Sequence, residues 1–489
     1  MAIGDGITYL AETRVKGEPK RFGIKDADRT HHIALLGRDE NARATFLAGM
    51  ALQDIVRGAG VLILDSEGIL TQLILERFPK DAVERLIVLD PSDGEYPYSW
   101  NPIDDFRALP PEAALPTLSQ TISSVYQCED GQLSGFAASF LLGHPGMTIL
   151  FLYDVIADPK ARDRLLPKGS AERSTFDAIL AVSADAAASI KEYGQYLAKD
   201  TLMRNILGQG GSKFTLETLS EGGIIIADLS RIRMFPTRVT PLSRLILAAG
   251  RTRAASPVAV YMSGCLRYLS THELERSLLD RAIALTVSDM SHGEPGTLRE
   301  KILQRAGTVA TFAPHEDDVH LSGKAFYPYI AAEELEKLSA GQCVIALTID
   351  SVRSRPFLAN ILPLPERSGV SVQDLQLASR GKYTITRLAA DKLFKLPEEA
   401  KKPTAPDDSF SGAFRSIFTK RADPTGGASG GSAIPKPLEP KPAAPGSAQR
   451  PAVAEPVPPK SVTGVAEAKP KEIPEAELKK MVRVRKPKQ

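Results

Sequence analysis

The sequence predicts an α/β fold: a sheet built by two chain segments, an all-helical subdomain inserted between them, and a disordered tail after them. Three observations carry this. Short apolar strands alternate with helices over residues 1–105. Strand signals vanish over 106–205, where Ala, Leu and charged residues dominate. They return within 206–366 and give way to a Pro-rich, charged segment after about 400. Helical crossovers between short apolar strands imply a parallel sheet covered on its faces.

In order, "HHIALLG" (31–37) reads as a strand and 41–57 as a helix. "GVLILD" (60–65) is a strand, "LTQLILERF" (70–78) a helix, and "ERLIVLD" (84–90) a strand. "DPSDGEYPYSWNP" (90–102) carries Trp100 and two tyrosines, and its Pro and aromatic residues lock the exit into the insert. Within the insert, the stretch from Lys160 to Leu207 is nearly all helix formers. "GFAASFLLGHPGMTILFLYDVI" (135–156) is broken by His144, Pro145 and Gly146, so it reads as a buried helix–turn–helix rather than a membrane span. "GQGGSKF" (208–214) is expected to be a flexible return turn. Strands follow at 222–230, 257–263, 282–288, 307–313 and 341–350, with a helix at 241–254. Residues 367–399 form a helical extension.

Composition excludes several classes. The apolar fraction is 43%, that of a soluble globular protein, and the net charge of +2 gives no global electrostatic bias. Cys128, Cys265 and Cys343 are odd in number and far apart, which argues against a disulfide framework or a zinc site and fits a reducing compartment. The adjacent His31 and His32 would point to opposite faces of a strand, so they do not share a ligand sphere. No basic start followed by an apolar core opens the chain, so a cytoplasmic protein without its own membrane span is expected. Residues 400–489 are rich in Pro, Ala and Lys and cannot bury enough apolar surface to offset their ordering entropy. Their basic end (Lys479, Lys480, Arg483, Arg485, Lys486 and Lys488) is either a solvated tail or a hook for nucleic acid or an acidic partner.

Five phrases taken together resemble one family, the FtsK/HerA-type P-loop coupling ATPases of type IV secretion and conjugative DNA transfer. They are "ITYLAETRVKGEPKRFGIKDADRTHHIALLG", "FLAGMALQDIVRGAGVLILDSEG", "ERLIVLDPSDGEYPYSWNPID", "NILGQGGSKFTLETLSEGGIIIADLSRIR" and "LTIDSVRSRPFLANILPLPE", in the family's order across about residues 7–366. The resemblance implies a RecA-like motor domain, usually hexameric, that pumps DNA with ATP and carries its all-α insert at the DNA entry side.

The motor residues depart from that pattern. A phosphate loop needs glycines whose N–H groups wrap the phosphates, a lysine for the β/γ-phosphates and a hydroxyl for Mg²⁺. Against the family's GxxGxGK[ST]T, "GRDENARAT" places Gly37 on the first glycine, Glu40 and Ala42 on the next two, Arg43 on the lysine and Ala44 on the hydroxyl, with Thr45 adjacent. Asp39 and Glu40 put carboxylates beside the triphosphate position. One like-charge contact at about 4 Å costs roughly 4 kcal/mol at an effective dielectric of 20. The Walker B strand falls on "VAVYMSGCL", with Ser263 and Gly264 at its two acidic positions. The glutamine sensor falls near Ser288–Asp289, and the trans-acting arginine falls on Ala313.

With four functional positions lost, the chain reads as a catalytically degenerate coupling protein: a non-hydrolysing structural or regulatory subunit of a DNA-transfer machine. No cofactor is expected. The expected partners are DNA and either copies of itself or an active P-loop ATPase paralogue. Arg38 and Arg43 could hold an anion at a helix N-terminus, but surface ion pairs with Asp39, Glu40 or Asp65 are the plainer expectation. Asp65 is either a replacement catalytic carboxylate or a helix-capping acid. Arg231 and Arg233 follow a strand on the face where relatives track DNA, and are either DNA contacts or solvated charges. Two rivals stand: a divergent ATP-dependent DNA translocase that keeps weak ATP/Mg binding through Arg43 and Thr45, and an adaptor acting through its Pro-rich tail.

Overall fold

The computed structural model describes residues 6–250, 258–280, 283–288, 298–314 and 319–394. The tail (400–489), its six basic residues from Lys479 to Lys488, and Asp289 lie outside the described residues. The strands are β1 (Ile7–Val15), β2 (Glu18–Lys25), β3 (Ile33–Leu36), β4 (Val61–Asp65), β5 (Leu86–Leu89), β6 (Ile224–Asp228), β7 (Val258–Ser263), β8 (Ile283–Ser288), β9 (Thr308–Thr311) and β10 (Gln342–Ala346). A two-strand hairpin, β11 (Thr348–Ile349) and β12 (Val352–Arg353), precedes β13 (Phe357–Ile361).

Apart from that hairpin, the strands form one sheet in the order β2-β1-β13-β10-β9-β3-β8-β7-β4-β6-β5. From β9 to β5 every neighbouring pair is parallel, as helical crossovers require. From β9 to β2 every pair is antiparallel. The expectation of a purely parallel sheet is thus corrected to a mixed one. Strands β9 and β10 of this edge were expected, whereas β1, β2 and β13 were not: their polar residues interrupt any continuous apolar run, as in "ITYLAETRV". The sequence "HHIALLG" also becomes a strand only from Ile33. His32 sits in the preceding turn with φ +64, and its ring meets the Leu278 carbonyl, so the two-face argument for the histidines does not apply.

The period-2 alternation of each strand divides the core in two. Leu62 and Leu64 face one cluster, while Val61 and Ile63 face the other. The second face is covered by α2 (Glu40–Arg57) and α3 (Ile69–Leu75), which follow the four-residue α1 (Asp26–Arg29). The first face is covered by the helical insert: α4 (Pro102–Arg107), α5 (Pro111–Val125), α6 (Gly131–Gly143), α7 (Phe151–Ala157), α8 (Pro159–Leu165), α9 (Ala171–Val182), α10 (Ala184–Lys199) and α11 (Thr201–Leu207). With it pack α12 (Pro236–Gly250) and α13 (Thr271–Leu279). The remaining helices are α14 (Leu298–Arg305), α15 (Val319–Phe326), α16 (Ala332–Leu335), α17 (Val372–Tyr383) and α18 (Arg387–Phe394). The 135–156 stretch divides into α6 and α7, and no helix among the described residues is long and apolar enough to cross a membrane.

Two strands of chain leave and re-enter the sheet where the insert begins, and one carboxylate ties them together. Trp100, fully buried, donates its indole N–H to Asp105 Oδ2 at 2.6 Å. Asp105 Oδ1 accepts the backbone N–H of Leu216 at 2.8 Å on the returning segment. The return turn is also fixed: Gln209 donates to the Tyr98 and Asn205 carbonyls, and Ser212 to Asp104. "GQGGSKF" is therefore pinned, not flexible, because its polar side chains satisfy the backbone of the outgoing strand. Asp105→Ala would leave two buried donors unpaired, at roughly 3 kcal/mol in total. It is expected to lower the urea midpoint and red-shift the emission of the single tryptophan before global unfolding, both read by fluorescence.

Candidate functional site

The phosphate-loop position lies between β3 and α2, at the carboxyl edge of the parallel strands. Gly37 has φ +124, and a Cβ there would stand 2.3 Å from the Phe312 carbonyl oxygen. The glycine is thus explained by the close approach of the turn to the end of β9. That approach is fixed by the Arg38 N–H on the Ala313 carbonyl at 2.8 Å and by Phe46 packed edge-on against Phe312. Asp39 is the N-cap of α2, its carboxylate accepting the Ala42 N–H at 2.9 Å. A first-turn N–H that would otherwise face a bound phosphate is committed to the chain's own anion.

Arg43 departs from the surface ion pair expected of it. It is 2% exposed, donates to Ser288 Oγ at 2.7 Å, and has Glu67 at 3.6 Å. None of Asp39, Glu40 or Asp65 is its partner. The reason is position: the first turn of α2 abuts the ends of β8 and β4, so the long side chain runs along the strand ends beneath the loop. Arg38 is exposed and makes no ion pair among the described residues. Thr45, half-buried on α2, makes no side-chain hydrogen bond among them either.

At the Walker B position, Ser263 is buried and donates to Glu67 Oε2 at 2.6 Å. Gly264 has φ +66, and a Cβ on it would meet Ser66 Oγ at 2.6 Å and Glu67 Cγ at 2.7 Å. Glu67 therefore fills the space an acid at 264 would need. Sequence matching missed Glu67 because it comes from β4, not β7. The signal was a second acid two residues beyond Asp65, at the same strand end. Asp65 itself turns away from this cluster and accepts the N–H groups of Glu67, Gly68 and Thr71, capping α3. Burial raises its carboxyl above the usual range despite those three donors. Arg231 is exposed and lies 3.4 Å from Asp90, and Arg233 is exposed.

The far end of α2 is also held by buried charge. Arg29 meets Asp54 through two bonds of 2.7 Å and donates to the Tyr261 hydroxyl, which donates in turn to Asp54. Burial opposes the Asp54 carboxylate, yet the Arg29 charge and these hydrogen bonds hold it below the usual range.

At this edge the Ala42 N–H is taken by Asp39, Arg43 is buried against Ser288 and Glu67, and the end of β7 presents Ser263 and Gly264 where the sequence comparison expects acids. No group of three or more His, Cys, Asp or Glu suited to a metal occurs among the described residues.

No family model matches the chain, and no curated protein matches it. Solved structures do. The unbound monoclinic form of the bacterial conjugative coupling protein TrwBdeltaN70 aligns at TM-score 0.50 and 11% identity, over 74% of this chain and 90% of that one. Plasmid coupling protein TrwB with ADP and Mg²⁺ aligns at 0.50 and 12%, over 74% and 91%. TrwB with the non-hydrolysable ATP analogue ADPNP aligns at 0.50 and 11%, over 76% and 98%. The fold is the RecA-like P-loop fold of these coupling proteins. At this identity, the likeness extends to the fold alone.

Removing Arg43 takes a cation from Glu67 and a donor from Ser288. Arg43→Ala is expected to destabilise the protein by about 3 kcal/mol, and Glu67→Gln added to it to recover part of that loss. Urea unfolding of the two variants against the parent chain measures both.

Proposed function

We propose that this chain is a non-hydrolysing structural or regulatory subunit of a DNA-transfer or type IV secretion-like machine, using a coupling-protein fold without its phosphate chemistry. The observation that carries this reading is the internal occupation of the loop: Asp39 on the Ala42 N–H, and Arg43 buried against Ser288 and Glu67. A catalytic loop keeps its N–H groups and its cation free for the phosphates and gathers acids around the metal. Here the first-turn N–H of Ala42 is taken by Asp39 and the Arg43 cation is paired within the chain. The subunit would assemble with itself or with an active P-loop paralogue, contributing shape and surface to a ring rather than turnover. A cytoplasmic location and contact with DNA, with Arg231 and Arg233 on its exposed face, belong to the same proposal.

One observation favours a second reading, the divergent translocase. Glu67 places a carboxylate 2.6 Å from Ser263 Oγ, at the edge where a Walker B acid would act. For that carboxylate to serve as a base, Arg43 must leave it. Hydrolysis of Mg-ATP by the purified full chain, with and without single- and double-stranded DNA, separates the two. Release of phosphate no faster than the protein-free blank is expected throughout. Turnover that Glu67→Gln abolishes would establish the enzyme instead.

A further inference from the structure

The helical insert leaves a cleft beside α12. It lies between the end of α5, the C-terminal half of α10 and the first turns of α12, with a volume of about 180 Å³. Small-molecule pockets begin at about 300 Å³, so this one suits side chains of a bound peptide rather than a free ligand.

Its walls are aromatic and uncharged. Tyr193 and Tyr196 stand three residues apart on α10 and so share one helix face. Tyr196 is 43% exposed. Gln127, in left-handed backbone at φ +48 just after α5, joins Thr237 and Thr240 in bringing side chains that can donate a hydrogen bond. No charged residue among the described ones lines the cleft. Met234 and Phe235, immediately before α12, are exposed apolar residues as well. Aromatic walls with neutral donors between them are the chemistry that takes a polyproline II segment. Its proline rings pack against the aromatic residues, and its free carbonyls accept the donors.

The chain carries such a segment. Residues 435–445 read PKPLEPKPAAP, with prolines three apart at Pro437 and Pro440 and again at Pro442 and Pro445. At three residues per turn each pair falls on one face, about 9 Å apart. A proline-rich segment is restricted before it binds, so docking it costs little ordering entropy and needs no core of its own.

The position of the last described helix favours this occupant. The described chain stops in α18, which packs on α11 and is tied to it by Asp391 and Arg204 at 3.0 Å. Only Asp200 separates α11 from α10. The cleft is thus two helix spacings from α18, roughly 20 Å. Residues 395–434 are long enough to cross that distance several times over.

We propose that residues 435–445 dock in the cleft between α5, α10 and α12 of their own chain as an extended polyproline strand. The docked segment covers Tyr196 and closes this face of the insert to other proline-rich segments until it is displaced. It uses no residue of the phosphate loop and stands independently of the function proposed above.

Photo-crosslinking in the full chain tests this. Tyr196 is replaced by p-benzoylphenylalanine, the chain is irradiated, and the adduct is mapped by mass spectrometry. The adduct is expected on residues 435–445, within one chain and unchanged on dilution. Pro437→Ala, Pro440→Ala, Pro442→Ala and Pro445→Ala together should remove most of it. A labelled synthetic peptide of residues 432–448, followed by anisotropy, should bind that four-proline variant about 10-fold more tightly than the parent, whose tethered segment competes. Tyr196→Ala added to the variant should weaken the peptide about 10-fold without lowering the thermal midpoint, since the ring is exposed. Three results would overturn the proposal: no adduct on 435–445, adducts only between chains that vanish on dilution (a second copy in the cleft), or equal peptide affinity for parent and variant.

Discussion

Helix α2 is fixed at both ends by ion pairs taken out of water, and the arrangement around the sheet's carboxyl edge depends on this. At its C-terminal end, Asp54 meets Arg29 and Tyr261. At its N-terminal end, Asp39 caps the first turn and Arg43 runs inward to Ser288 and Glu67. Buried charges are tolerated only when paired and hydrogen-bonded. With the charges at both ends paired internally, α2 is held in one position under the sheet and the β3–α2 turn in one conformation over β9.

On the proposed reading, the capped loop and the Walker B position are therefore one feature rather than separate losses. The buried Arg43 requires a carboxylate within reach, and the partly buried Glu67 provides it. Glu67 in turn needs the space beside Gly264 and bonds to Ser263. Each departure from a phosphate-binding pattern is complementary to another. A lysine restored at 43 would still find Glu67 nearby, and an acid restored at 264 would collide with it. The scaffold that positions these residues is intact, since the parallel strand ends, the helix behind them and the insert behind the sheet are all in place.

Much of the fold was legible in the sequence because the central parallel strands are short apolar runs and the insert lacks such runs. The antiparallel edge was not, since β1 and β2 alternate polar and apolar residues and β13 pairs with β1 only in three dimensions. At the site, matching by position found Gly37, Arg43, Ser263 and Gly264 but could not give their partners. The sequence neighbours of Arg43 suggested Asp39 and Glu40, whereas its carboxylate, Glu67, arrives from another strand. Asp65 and Glu67 are two residues apart and do different things, one capping α3 and the other facing Arg43. Such a division is set by the direction of a strand end, which spacing alone does not reveal.

The central claim is that the phosphate position is occupied by the chain's own Asp39 and Arg43. Isothermal titration calorimetry of the full chain with ATP and excess Mg²⁺ tests it most directly. The account predicts no saturable heat up to millimolar nucleotide, in the parent chain and in Arg43→Ala alike. Saturable micromolar binding that Arg43→Ala abolishes would contradict it, because Arg43 would then be holding phosphate and not Glu67.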